Sequence, residues 1–243
     1  MPGLIKKEEF KDNCGFGLIA NINGVKSHKV IINSINALIS MTHRGGVGSD
    51  GKTGDGCGLL FDIDHKFFAD TVLKEQNIEI GEYFAIGQIF YHQDISKLLP
   101  KIKKILKSEN LVLAAYRKVP VDEKILGEIA HSCMPEIFQL FIKPTEKDFN
   151  QDVFETGLIQ ARKYIEEIYM DDNKLYVCSM SSKTVVYKGL MLPNAIKEFY
   201  LDLNKENFRA STCVFHQRFS TNTSPRWHLA QPFRLLAHNG EIN

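Results

Sequence analysis

The 243-residue sequence lacks three features that would place it in a specialised class of protein. No run of about 18 apolar residues could span a membrane, and the first 13 residues lack the apolar stretch of a secretion signal. Neither sign of charge dominates, because 30 Lys and Arg face 29 Asp and Glu, a formal net charge of +1 at pH 7. A nearly neutral chain offers little attraction to a polyanion. We therefore expect neither a membrane nor a nucleic acid as partner.

Cysteine is scarce and scattered along the chain. The five cysteines are Cys14, Cys57, Cys133, Cys178 and Cys213, with no CxxC pair and no His–Cys spacing typical of zinc sites. An odd number does not suit a disulfide framework and fits a reducing compartment. The sequence therefore predicts a cytoplasmic location, with no metal and no cofactor held by this chain.

No repeat, linker or low-complexity stretch divides the chain. Strands are predicted at 14–22, 57–63, 83–92, 111–119, 136–143, 175–180, 184–188, 212–220 and 233–238, and helices at 29–42, 65–76, 94–107 and 152–170. The helices are grouped between runs of strands and do not alternate with them one by one. This order favours mixed sheets covered by helices over a doubly wound parallel sheet.

Glycine is concentrated in residues 45–58, where seven of fourteen positions are Gly. Within this segment, GVGSDGKT (46–53) matches the phosphate-binding pattern G-x-x-x-x-G-K-[ST], which needs a strand before it and a helix after it. Here a predicted helix precedes the motif and GDGCG follows it, so we reject a phosphate site. We expect close backbone packing or a nest of N–H donors, with Arg44 and Asp55 fixing the loop by ion pairing or hydrogen bonding. A flexible surface loop is the alternative.

The last 28 residues, HQRFSTNTSPRWHLAQPFRLLAHNGEIN, are rich in groups that can orient a small ligand. Arg218 offers a planar fork for a carboxylate. The side chain of Asn239 and the N–H of Gly240 could face one oxyanion, although Asn–Gly is also a common turn. Cys14 could be a nucleophile, or only a small buried apolar residue. Taken together, these groups suit acyl transfer from a small carboxylated amide.

Three segments carry a family resemblance. CGFGLIA (14–20), MTHRGGVGSDGKTGDGCG (41–58) and residues 216–243 together resemble the amino-terminal glutaminase domain of the glutamate synthases, a class II glutamine amidotransferase. The last segment is the most specific, because other class II amidotransferases share only its Arg–x–Ser–Thr and Asn–Gly parts.

The resemblance implies an α+β fold, the four-layer αββα sandwich of the amino-terminal-nucleophile hydrolases, with its carboxyl-terminal part missing. It implies that residues 1–13 are a propeptide and that residues 14–243 are the amidotransferase domain, incomplete at its carboxyl end. Removing the propeptide would make Cys14 the new amino terminus. Its freed α-amine, with an ordinary pKa of about 7.7–8.0, could then take the thiol proton.

The resemblance also implies roles for individual residues. Arg218 resembles the residue that binds the α-carboxylate of L-glutamine, and Thr221 lies in the same substrate-binding segment. Asn239 and Gly240 resemble the oxyanion hole. In the family, the released ammonia passes to other synthase domains, which add it to 2-oxoglutarate with the help of FMN and an iron–sulfur cluster.

The chain departs from the family pattern at its end, because it stops before the downstream Asp that binds the α-amine of glutamine. Gly46 and Cys57 also stand where the family often has alanine. We therefore expect a fragment. Two other readings stay open: another amidohydrolase of the same architecture, or a catalytically inactive fragment.

Overall fold

The computed structural model describes residues 15–146, 149–168, 174–217 and 224–234. Its strands are β1 (Gly15–Ala20), β2 (Cys57–Asp62), β3 (Ala85–Tyr91), β4 (Leu111–Lys118), β5 (Glu136–Pro144), β6 (Leu175–Ser181), β7 (Thr184–Gly189) and β8 (Thr212–Gln217). Its α-helices are α1 (His28–Ser40), α2 (His65–Gln76), α3 (Ile95–Ser108), α4 (Glu128–Ser132), α5 (Gln151–Glu167) and α6 (Ile196–Phe199).

The strands form two four-stranded sheets in which each pairing is antiparallel. The first sheet has the order β1-β8-β2-β7 and the second the order β4-β5-β3-β6. Strand β7 of the first sheet lies against β6 and β3 of the second, and the Val186 N–H donates to Ser179 Oγ across that contact at 3.2 Å. Two antiparallel sheets with helices packed on them confirm the predicted fold class.

The second sheet is covered by the two longest helices. All seven residues of β3 are buried. Helix α3 buries Leu98, Ile102 and Leu106, which lie on one face at a spacing of four residues. Helix α5 buries residues three or four apart on one face: Phe154, Leu158, Ala161 and Ile165. Burying each Leu, Ile or Phe side chain contributes roughly 1.5–3 kcal/mol, so this layer is a main source of stability. On the first sheet, α1 packs against β8 and β1.

A buried polar network joins strands of the two sheets. The Arg117 Nε donates to Gln139 Oε1 at 2.8 Å, and its guanidinium also pairs with Asp202. The Tyr187 hydroxyl accepts from Gln139 Nε2 at 2.9 Å and donates to Asp202 at 3.1 Å. Burial alone would raise the pKa of Asp202, but the charges and hydrogen bonds of Arg117 and Lys205 together outweigh it and lower that pKa. Because a buried charge is tolerated only when it is paired, the network fixes the sheets relative to each other.

The predicted elements are largely those observed, with corrections at their ends. Helix α1 stops at Ser40 and is followed by a 3-10 turn at Thr42–Arg44, so the predicted extension to 42 was wrong. Helix α5 ends at Glu167, short of the predicted 170. Of the predicted strand 233–238, only residues 233 and 234 are described, and they belong to no strand; the Phe233 ring packs on the Lys188 ammonium. The short helices α4 and α6 were not predicted.

Residues 1–13, the predicted propeptide, lie outside the described residues. Among the helices that are described, none combines the length and apolar character needed to cross a membrane.

Candidate active site

The candidate site lies where β1 begins and β8 ends. Gly15 is paired with Gln217, and Gln217 is paired on its other side with Cys57 of β2. In the sequence, Cys14 immediately precedes Gly15 and Arg218 immediately follows Gln217. Two predicted site residues are therefore attached to one strand pair. Cys14, Arg218, Thr221, Asn239 and Gly240 themselves lie outside the described residues.

The start of β1 has no room for a side chain at Gly15, the first residue of the strand. A Cβ added to Gly15 would lie 2.9 Å from the Gln217 carbonyl oxygen and 3.3 Å from Arg44 Cβ. The Arg44 turn therefore packs directly against the start of β1. This close approach explains a glycine next to Cys14.

The glycine-rich segment forms a short hairpin after the 3-10 turn. The Gly46 N–H donates to Asp55 Oδ2 at 2.7 Å, and the Asp55 N–H returns a bond to the Gly46 carbonyl at 3.2 Å. Further in, the Gly48 N–H donates to the Thr53 carbonyl at 2.7 Å. These bonds argue against the alternative of a flexible loop. Asp55 fixes the hairpin by hydrogen bonding, while its importance for the site stays a prediction.

The hairpin tip is attached to the start of α4 through Asp50 and Thr53. The Asp50 carboxylate accepts from Thr53 Oγ1 at 2.6 Å and from the Ile129 N–H at 3.1 Å, and Thr53 Oγ1 accepts from the Ala130 N–H at 3.1 Å. The bond from the Thr53 hydroxyl is the main reason why the pKa of Asp50 lies well below its usual range. The Thr53 hydroxyl is thus engaged within the protein, and no strand–loop–helix unit surrounds residues 46–53, which excludes a phosphate-binding loop here.

Helix α4 also binds residues 224–234, which precede the predicted site residue Asn239 in the sequence. Trp227 Nε1 donates to the Ala130 carbonyl at 3.0 Å, and its ring packs edge-on against Phe90. Nearby, the buried Lys188 donates to the His228 carbonyl at 2.8 Å, and burial lowers the pKa of this lysine to about 8. Helix α4 therefore links the glycine-rich hairpin to residues 224–234.

Sequence reasoning missed this linkage. Helix α4 has only five residues, too few for a hydrophobic period to emerge. One signal was available, because Asp50–Gly–Lys–Thr53 has the spacing of an Asx-type turn, in which an Asp side chain binds N–H groups two and three residues on.

The four described cysteines are poor candidates for a nucleophile. Burial raises the pKa of the Cys178 and Cys213 thiols to about 12 and that of Cys57 further still. Cys133 is exposed, yet partial burial of its thiol also raises its pKa. Because the thiolate is the reactive form, none of these four is activated. Among the described residues there is also no group of three or more His, Cys, Asp or Glu that could hold a metal ion.

Comparison with known proteins agrees with this geometry. The sequence model of class-II glutamine amidotransferases matches residues 14–243. The chain is 41% identical over 95% of its length to ferredoxin-dependent glutamate synthase 1 of Arabidopsis thaliana and covers 14% of that protein. It is 39% identical over 99% of its length to glutamate synthase [NADH] of Saccharomyces cerevisiae and 37% identical over 99% to the glutamate synthase [NADPH] large chain of Bacillus subtilis, covering 12% and 16% of these relatives.

The chain thus spans about one seventh of the length of the relatives that it matches. The family match begins at Cys14, the residue joined to the Gly15–Gln217 pair, and includes every predicted site residue. The chain belongs to the class II glutamine amidotransferases.

Proposed function

We propose that this chain is the glutaminase unit of a glutamate synthase. It hydrolyses the side-chain amide of L-glutamine, and the ammonia is used to make glutamate from 2-oxoglutarate in domains outside this chain. The observation that carries the proposal is the Gly15–Gln217 pair, because it joins the attachment points of the nucleophile Cys14 and the carboxylate-binding Arg218. The match from residue 14 to 243 and the glutamate synthase relatives support it.

The proposed reaction begins after removal of residues 1–13. The freed α-amine of Cys14 takes the thiol proton, and the thiolate attacks the amide carbon of glutamine. The Asn239 side chain and the Gly240 N–H stabilise the oxyanion, while Arg218 and Thr221 hold the amino-acid end of the substrate. The α-ammonium returns its proton to the departing nitrogen, which leaves as ammonia. Water then cleaves the γ-glutamyl thioester and releases glutamate.

The glycine-rich hairpin supports this centre in the proposal. Arg44 packs against Gly15, the neighbour of Cys14, and Asp55 ties down the backbone of Gly46 two residues later. Both residues therefore act on the position of the nucleophile's backbone and are not in the reaction path.

The FMN and the iron–sulfur cluster implied by the family resemblance are assigned to the parent protein outside this chain. The described cysteines do not fit a cluster, because Cys57, Cys178 and Cys213 are buried on separate strands. We propose a cytoplasmic location for the whole enzyme and no nucleic-acid partner, on the basis of the cysteine count and the neutral charge.

Mass spectrometry of the protein that contains this chain tests the proposal. We expect the active protein to begin at Cys14, and the glutamine analogue diazo-oxo-norleucine to add its mass to Cys14 alone. Alanine at the exposed Cys133 is the matched control and should leave labelling unchanged. Activity in protein that still carries Met1 would contradict the α-amine as base. Labelling at Cys57, or no glutamine hydrolysis at all, would overturn the assignment in favour of another amidohydrolase or an inactive fragment.

A further inference from the structure

Lys188 of strand β7 is a buried cation among aromatic rings. It is 0% exposed, and its ammonium lies 4.7 Å from the centre of the Tyr176 ring and 4.6 Å from that of the Phe233 ring. The ammonium also donates to the His228 carbonyl oxygen at 2.8 Å. Two of these partners, His228 and Phe233, belong to residues 224–234, which we call the docked segment. Lys188 therefore connects the first sheet to the docked segment.

The positive charge of Lys188 is costly at this place in the fold. Burial lowers the pKa of the lysine, because the surroundings disfavour its charged form. Arg117 is a buried cation too, but it is paired with Asp202, whereas no Asp or Glu of the described residues forms an ion pair with Lys188. An apolar side chain of similar length would avoid the cost of burying a charge. Stability alone therefore does not explain a lysine at position 188.

Glycines next to Lys188 leave room for the docked segment. Gly58 of β2 is paired with Lys188, and a Cβ added to Gly58 would lie 2.6 Å from the Gln231 carbonyl oxygen. A Cβ added to Gly189, the residue after Lys188, would lie 2.5 Å from the Trp227 ring. Side chains at these two positions would displace the segment. The first sheet is thus shaped to bind residues 224–234 at close range.

The strand register relates the docked segment to the candidate site. One row of directly paired residues crosses the four strands of the first sheet: Lys188, Gly58, His216 and Phe16. Residues paired in this way lie on the same face of a sheet. The docked segment contacts this row at Gly58 and Lys188. The other two members, His216 and Phe16, are next in the sequence to Gln217 and Gly15, the pair at which the candidate site begins.

We infer that Lys188 is a positioning residue of the glutaminase site, which fixes the docked segment on the first sheet through its hydrogen bond to the His228 carbonyl. This inference rests on the proposed function, in which Asn239 and Gly240 stabilise the oxyanion. Asn239 follows Arg234, the last residue of the docked segment, by five positions. Fixing the segment therefore limits the places that Asn239 can reach. A displacement of about 1 Å at an oriented catalytic group can lower the rate by about 100-fold.

Lys188 binds the middle of the docked segment, and other contacts bind its two ends. Near the start, Trp227 Nε1 donates to the Ala130 carbonyl at 3.0 Å, and at the end Arg234 pairs with Glu155 at 3.4 Å. Removing the ammonium of Lys188 should therefore loosen the segment without detaching it. The folded structure should survive this change, so its effect on catalysis can be measured.

The test compares Lys188→Met with the wild type in the processed protein that contains this chain, and Lys205→Met is the matched control. The Lys205 ammonium also lies near an aromatic ring, 5.4 Å from the centre of Phe67, but it pairs with Asp202 of the buried network. The readouts are kcat and KM for glutamine, the thermal midpoint, and hydrogen–deuterium exchange of peptides from residues 224–234, measured by mass spectrometry.

We expect Lys188→Met to lower kcat by about 10–100-fold with little change in KM, because the oxyanion donors lose their orientation while the substrate-binding residues stay in place. The thermal midpoint should be unchanged or higher, because a buried charge has been replaced by an apolar group. Exchange in the docked segment should be faster by about 10-fold. Lys205→Met should lower the thermal midpoint and leave kcat and the exchange of the segment unchanged.

The outcomes separate this inference from the proposed function. If Cys14→Ser abolishes hydrolysis but Lys188→Met keeps the wild-type kcat, the function stands and the inference is wrong. A Lys188→Met protein that fails to fold, or that is less stable with normal kcat per folded molecule, would show that the lysine only stabilises the fold, which also overturns the inference. A raised KM with unchanged exchange would assign Lys188 to substrate binding instead. Full activity of Cys14→Ser would refute the proposed function itself.

Discussion

The two ends of strand β8 differ in their hydrogen bonding. The start, at Ser211 and Thr212, is hydrogen-bonded to Asp62, and we call it the fastened end. At its start, the Asp62 carboxylate accepts hydrogen bonds from the Ser211 and Thr212 N–H groups, each at 2.8 Å, and from the Ser211 hydroxyl at 2.9 Å. At its other end, Gln217 is buried without a partner among the described residues. The first arrangement satisfies the polar groups of Ser211 and Thr212, whereas the second leaves the Gln217 carboxamide without a partner among the described residues. One strand thus joins a hydrogen-bonded end to the end that precedes the predicted site residue Arg218 in the sequence.

The packing around the two ends follows the same division. Near the fastened end, Phe61 and Phe67 both pack on Phe208, with ring centroids 5.1 and 4.5 Å away. At the other end, Gly15 and Gly45 have no side chains, which lets Arg44 and the Gln217 side chain pack closely against them. Large side chains supply stability where no chemistry is proposed, and glycines allow close packing at the candidate site.

The largest effect is expected from changes at the site end, measured on activity. Asn239→Ala removes a donor used chiefly in the transition state and should lower kcat by about 10²–10³-fold, with stability unchanged. Arg218→Lys keeps the charge but loses the planar fork, so it should mainly raise KM for glutamine. Steady-state kinetics of the protein that contains this chain measures kcat and KM for glutamine in both variants. The reverse pattern would mean that the roles proposed for Arg218, binding the substrate carboxylate, and for Asn239, stabilising the oxyanion, are exchanged.

A change at the fastened end should have the opposite signature. Asp62→Ala leaves the N–H groups of Ser211 and Thr212 without their acceptor and should lower the free energy of unfolding by about 2–3 kcal/mol. Glutamine hydrolysis per folded molecule should stay at the wild-type rate. Asp62→Asn, which keeps one acceptor oxygen, is the control and should lose about half as much. Urea unfolding measures both variants, and a loss of activity without a loss of stability would break the distinction between the two ends.

The sequence predicted the main elements because their patterns are local. The helix predicted at 94–107 is observed as α3, whose buried Leu98, Ile102 and Leu106 are four residues apart in the sequence. Glycines around residues 45–58 likewise predicted close backbone approach. The family motifs named the site residues, but Cys14, Arg218 and Asn239 lie outside the described residues, so their positions stay predictions.

What the sequence could not supply depends on pairings between distant residues. The position of Gln217 between Gly15 and Cys57 emerges only from the strand pairing, because both residues are far from it in the chain. Similarly, nothing local indicated that the Asp50 carboxylate would meet the Ile129 N–H, 79 residues away. Side-chain partners set by tertiary packing carry no period and no short motif, so one sequence does not reveal them.

An intermediate effect is expected at Gly45. In Gly45→Ala the new methyl group meets the Gln217 carboxamide, since its ideal position is 2.1 Å from Nε2. Overpacking of this kind should cost about 1–2 kcal/mol of stability. Combining it with Gln217→Ala removes the clash, so the double variant should be more stable than the sum of the two single losses. Additivity within about 0.5 kcal/mol in urea unfolding would show that the two residues do not interact.

The smallest effect concerns the acid sensitivity of the fastened end. Burial acts to raise the pKa of Asp62, but the hydrogen bond from the Thr212 N–H and the contact with Lys26 outweigh it and hold the pKa below its ordinary value of 3.8. The folded protein therefore binds this proton less readily than the unfolded chain does. The stability that Asp62 contributes is fully present above pH 3.8 and is lost as the pH falls through the lowered folded-state pKa.

Asp62→Asn has no carboxylate to titrate and serves as the reference for this prediction. The free energy of unfolding of the wild type minus that of Asp62→Asn should be constant from about pH 7 to pH 5 and should shrink below about pH 4. The change should be modest, because the Asp62 side chain remains 23% exposed and its pair with Lys26 is partly screened by solvent. Urea unfolding of both proteins at a series of pH values measures it. A difference that stayed constant down to pH values at which carboxylates are protonated would show that the protonated carboxyl group of Asp62 supports the start of β8 as well as the charged group does. The hydrogen bonds, and not the charge of Asp62, would then fasten that end.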